Sequence, residues 1–75
     1  MKIELFPKTY YANVYFETRE SGKKMEKLMN QCDLILHCLS TFNGLSLILK
    51  LNPCYTLDEC VAEIERLYAT TTAQK

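Results

Sequence analysis

The chain has 75 residues, nine Lys or Arg against nine Asp or Glu, and a hydrophobic fraction of 48%. This excludes a multidomain protein and a disordered chain, and zero net charge argues against a general nucleic-acid binder, which carries a basic excess. A globule of this size hides only about 60% of its unfolded surface, so oligomerisation or partner binding is an expected supplement to its stability.

Residues 2–6, Lys-Ile-Glu-Leu-Phe, alternate polar and apolar, which predicts a strand with Ile3 and Leu5 inward. Pro7-Lys8 marks a turn. A second strand is predicted over residues 10–18, with Tyr10, Ala12, Val14 and Phe16 on one face and Tyr11, Asn13, Tyr15 and Glu17 on the other. The short link makes an antiparallel hairpin of the two. Ser21 is then a candidate helix N-cap.

From Met25 the apolar residues Met25, Leu28, Met29, Cys32, Ile35, Leu36, Leu39 and Phe42 fall three or four apart, a helical stripe ended by Asn43-Gly44. The preferred parse is one helix from Gly22 to Phe42, about 31 Å long. It rests on Leu, Met and Cys outnumbering β-branched residues. Asn30, Asp33, Ser40 and Thr41 are weak helix formers and support a second parse. In that parse the helix is shorter, and Asn43-Gly44 closes a hairpin between Leu34–Thr41 and Leu45–Leu51.

Residues 45–51 are a strand in both parses, with Leu45, Leu47, Leu49 and Leu51 on one face. Thr56-Leu-Asp-Glu59 is a capping box ahead of a last helix, whose stripe is Leu57, Cys60, Val61, Ile64, Leu67 and Tyr68. Residues 70–75 carry no pattern and are expected to fray, leaving 1–69 as the folded domain. The expected fold class is α+β, a small and mostly antiparallel sheet with two helices packed on it. The element order is ββαβα, or ββαββα in the second parse.

No motif assembles a catalytic or metal site. Cys32, Cys38, Cys54 and Cys60 form two C-x5-C pairs, wider than the C-x2-C to C-x4-C spacing of zinc sites. They read as free thiols of a reducing compartment, so no metal is expected. His37 and Cys38 are adjacent, and neighbouring residues point apart on a strand or a helix, which leaves no Cys–His dyad. Ser21-Gly22-Lys23-Lys24 shares only the end of a phosphate loop, because Glu17 and Lys24 stand where glycine and a hydroxyl residue are required. Asp58, Glu59, Glu63 and Glu65 read as a solvated helix face. No cofactor and no catalysis are expected.

What remains is surface. Tyr11 and Tyr15 share the outward face of the second strand, and tyrosine is enriched where proteins bind. Lys23, Lys24 and Lys27 form a basic turn. Together these five are the candidate partner-binding residues. The expectation is a small non-catalytic regulator or inhibitor of the immunity-like or viral-antagonist kind, which occludes a partner protein's surface. Its runner-up is a nucleic-acid module using the same Lys and Tyr side chains. The overhang of a 31 Å helix would make a homodimer a candidate. No apolar run reaches the roughly 20 residues of a membrane span. Glu4, Pro7 and Lys8 interrupt any signal-peptide core. The expected compartment is the cytoplasm, or a host cytoplasm for a virus-encoded chain.

Overall fold

Six elements follow one another in the computed structural model, which describes residues 1–41 and 43–73. Strand β1 is Lys2–Phe6, β2 Tyr11–Tyr15, helix α1 Arg19–Met29, β3 Ile35–Ser40, β4 Ser46–Leu51 and α2 Leu57–Ala73. All strand pairs are antiparallel, in the order β1-β2-β4-β3. The fold is therefore α+β with the order ββαββα, the second of the two parses.

The long helix is replaced by α1 and β3. Thr18, not Ser21, caps α1: its side chain accepts from the Ser21 N–H at 3.2 Å, and the helix starts three residues earlier than expected. At the other end the chain leaves the helix through tight turns, Gln31 N–H to the Leu28 carbonyl at 3.1 Å and Cys32 N–H to that of Met29 at 3.1 Å. Asn52 then fixes the path into β3. Its amide nitrogen donates to the Asp33 carbonyl at 3.0 Å and its backbone N–H to that of Leu34 at 2.8 Å. Phe42, the last residue of the expected stripe, lies outside the described residues.

Alternation places one face of the sheet inward. Its rows, read across the strands, are Leu5–Ala12–Leu49–Cys38 and Ile3–Val14–Leu47–Ser40. Both helices lie on this side. Met25 and Met29 of α1 and Cys60, Ile64 and Leu67 of α2 are buried with Ala12, Val14, Phe16, Leu47, Leu49 and Leu51 in a single core. Phe16 and Tyr68 close one end, their ring centroids 6.1 Å apart. Tyr10 occupies the left-handed region at φ 59, at the end of the turn that joins β1 to β2. Its hydroxyl donates to the Tyr55 carbonyl at 2.6 Å, and its own carbonyl accepts from Leu51 N–H at 2.8 Å. These two bonds hold a conformation that a side chain rarely adopts.

The capping box is present: Glu59 N–H donates to Thr56 Oγ1 at 3.1 Å, and Thr56 N–H to Glu59 Oε1 at 3.2 Å. Helix α2 continues through Ala73, into the stretch expected to fray. There the Thr70 and Thr71 hydroxyls donate back to the Arg66 and Tyr68 carbonyls at 3.0 and 2.7 Å. Residues 74 and 75 lie outside the described part. Among the described residues no helix is long and apolar enough to cross a membrane.

Candidate functional site

The helices cover one side of the sheet and leave the other bare. The rows on the bare side are Phe6–Tyr11–Lys50–His37, Glu4–Asn13–Ile48–Leu39 and Lys2–Tyr15–Ser46. Every exposed large hydrophobic among the described residues is on the sheet strands: Phe6, Tyr11, Tyr15, Leu36, Leu39 and Ile48. Leu39 is the most open, at 65%. An antiparallel sheet with a wet face normally turns polar residues to the water. This one presents rings on the β1–β2 half and branched aliphatics on the β4–β3 half.

A β-bulge shapes the aliphatic half. Ile35 pairs with Leu51 but His37 with Lys50, so Leu36 is an extra residue in β3. Past the bulge Cys38 points into the core and Leu39 outward beside Ile48. Without the extra residue Leu39 would share the inward face of Ile35.

Polar residues share the bare face with these side chains: Lys2, Glu4, Asn13, His37, Ser46 and Lys50. Tyr15 donates its hydroxyl to Glu4 Oε1 at 3.2 Å, and the Asn13 amide reaches the Tyr15 oxygen at 3.5 Å. Lys50 stands between Tyr11 and His37 and has no ion-pair partner among the described residues. At the end of β1, Leu5 and Phe6 with the turn residues Pro7, Lys8 and Thr9 line a concavity of about 410 Å³.

The structure brings Tyr11 and Tyr15 onto this face, with Asn13 between them. It does not bring Lys23, Lys24 and Lys27 to them. These lysines are on α1, in the helix layer on the far side of the sheet. There Lys24 pairs with Glu20 at 3.4 Å, and Lys24 and Lys27 flank a groove with Leu28 and Thr71 of α2. Phe6, Leu36, Leu39, Ile48 and Lys50 belong to the bare face and were not singled out from the sequence. The available signal was Leu47-Ile48-Leu49, apolar on both sides of one strand.

Elsewhere the chemistry is sparse. His37 is exposed on the bare face and Cys38 buried beneath it, so the two do not meet. Among the described residues no three His, Cys, Asp or Glu side chains stand together to hold a metal ion. Arg66 donates its Nε–H to Glu63, and this bond holds the Glu63 carboxyl below its usual range. All four cysteines are free. Burial, aided by Glu26, pushes the Cys38 thiol from its ordinary 9.0 up to about 11. Burial raises Cys60 too, with smaller contributions from Glu59 and Cys32.

A thiol reagent is therefore expected to find one fast site, exposed Cys54, and to reach Cys38 and Cys60 only on unfolding. A fast reaction at Cys38 would mean that β3 opens. The unfolded Cys38 ionises at its ordinary 9.0 while the folded one keeps its proton up to about 11, so the stabilising effect is complete below pH 9.0 and lost as pH rises to about 11. Urea titrations across that window would record the fall.

No protein-family model matches the chain, and no curated protein or solved structure matches it at a significant level. The functional reading therefore rests on the bare face itself.

Proposed function

We propose that this protein is a small, non-catalytic, cytoplasmic regulator that binds another protein through the bare face of its sheet and occludes that partner's surface. The observation that carries this reading is the concentration of exposed hydrophobic side chains on one face of the sheet, opposite the side that the helices fill. Apolar side chains gathered on one exposed face cost solubility unless something covers them. Tyr11 and Tyr15 suit an interface, since each offers rigid ring area with a polar tip.

The double variant Tyr11→Ala/Tyr15→Ala tests it. The side chains are 37% and 39% exposed, so the far-UV CD spectrum is expected to be unchanged. A partner captured by the wild-type chain is expected to be lost, because aromatic anchors at an interface centre contribute about 2 kcal/mol or more each. Undiminished capture by the variant would remove the tyrosines from the site.

A second reading has one observation in its favour. Phe6, Tyr11, Lys50 and His37 form a continuous cross-strand row of rings and a cation, the kind of surface on which bases stack. It lacks the three α1 lysines, which lie in the other layer. Binding of a single-stranded oligonucleotide that weakens steeply between about 50 and 200 mM salt would favour it.

A further inference from the structure

We propose that the occupant of the bare face is an amphipathic helix of a partner protein, with carboxylates beside its apolar stripe. This rests on the reading of that face as a docking surface and names the chemistry of what docks.

The first argument is the cover that the sheet lacks. Strand β4 turns Leu47, Leu49 and Leu51 inward; outward it turns Ile48 between Ser46 and Lys50, with Leu39 of β3 at the side of Ile48. Exposed aliphatic side chains side by side near the middle of a sheet face are a surface that a partner's apolar side chains can cover. The second is size. A five-residue strand is about 17 Å long and three inter-strand gaps span about 14 Å. A helix about 10 Å wide and three turns long fills that footprint. On the inner side α1, with eleven residues, has that length.

Charge decides the partner's polar flank. The face carries Lys2 and Lys50 against one carboxylate, Glu4, which already receives the Tyr15 hydroxyl at 3.2 Å. Lys50 lies between two rings with no acidic partner among the described residues, and the acidic cluster Asp58, Glu59, Glu63 and Glu65 is on α2 in the other layer. A carboxylate arriving over Lys50 meets an unpaired cation, and an arriving lysine meets only repulsion.

Two other occupants fit less well. A nucleic acid gains nothing from Leu36, Leu39 and Ile48, which have no ring to stack on. A second copy brings another Lys50 and another engaged Glu4.

The test uses the full chain, ¹⁵N-labelled, and two synthetic helical peptides of about 14 residues. Both have the same leucine stripe; one is flanked by glutamates and the other by lysines. A short oligouridylate is the third probe. The glutamate peptide is expected to move the amide signals of Tyr11, Leu39, Ile48 and Lys50, and to bind about tenfold more tightly than the lysine peptide. Lys50→Glu is expected to reverse that order and Lys50→Gln to level it, with signal dispersion showing that each variant is folded. Equal shifts of the face by both peptides would overturn the acidic helix while leaving protein docking in place. Shifts by oligouridylate alone, or by none of the three, would overturn both readings. Face signals that move with protein concentration alone would assign the face to a second copy and overturn the proposal.

Discussion

Leu49→Ala is expected to remove about 3–4 kcal/mol of stability, out of roughly 4–11 kcal/mol for a chain of this length. Leu49 is fully buried in β4, one of the two central strands. Its cross-strand neighbours on the inward face are Ala12 and Cys38, both small. Neither can swing into the space that a lost isobutyl group leaves, so the cavity stays open and the cost is near the upper part of the usual range. Urea unfolding should show a lower midpoint at unchanged slope. The adjacent residue supplies the control. Ile48 points to the bare face and is 39% exposed. Ile48→Ala is expected to cost less than about 1 kcal/mol, the span of strand propensity. Equal costs for the two would mean that the outer face is packed in solution, against a second copy or another layer.

That contrast between neighbouring residues shows what period-2 patterning can reveal. Alternation in residues 2–6, 10–18 and 45–51 located β1, β2 and β4 and assigned their inward faces correctly. The capping box located α2 to the residue, because Thr56 and Glu59 satisfy each other's backbone amides within one turn of chain. Residues 30–42 misled for an equally local reason. The bulge at Leu36 inserts one residue into β3, so the inward side chains Ile35 and Cys38 are three apart instead of two. Three is also a helical spacing. With Met29 and Cys32 at the same interval upstream, the stripe ran unbroken across a helix end, a loop and a bulged strand. The correct break was marked by Asn30 and Asp33, whose poor helix propensity is a small effect beside the apparent periodicity.

The bare face was legible only in part. Outward placement of Tyr11 and Tyr15 follows from alternation within one strand. Their surroundings do not, because they depend on the order β1-β2-β4-β3. Phe6 and Lys50 flank Tyr11 through pairings 5 and 39 residues away in sequence. The lysines of α1 are nearer in sequence than Lys50, and the layering puts them on the opposite side of the sheet. Sequence proximity suggested one mixed Lys–Tyr surface; the fold separates it into an aromatic and aliphatic sheet face and a basic helix turn.

Gly22→Ala is expected to destabilise the protein by about 1–3 kcal/mol, against the sign that helix propensity gives. Gly22 is the fourth residue of α1, where alanine would ordinarily add about 1 kcal/mol. A methyl group there would sit 2.6 Å from the Gly44 carbonyl oxygen and 3.6 Å from a ring carbon of Phe16. The obstructing atom is backbone in the turn between β3 and β4, where Gly44 holds φ at +72. That turn is itself pinned: Gly44 N–H donates to the Thr41 carbonyl at 3.0 Å, and Leu45 N–H to Asn43 Oδ1 at 2.9 Å. The helix must therefore shift away, which lifts Met25 from the core, or the turn must break its bonds. Either outcome loosens the seat that α1 gives the β3–β4 hairpin, the hairpin that carries Leu39 and Ile48. Hydrogen exchange at the Thr41 and Gly44 amides should accelerate along with the drop in urea midpoint. A gain of about 1 kcal/mol instead, as propensity alone would give, would show that the helix and the turn do not touch in solution. The aliphatic half of the bare face would then lack its fixed support.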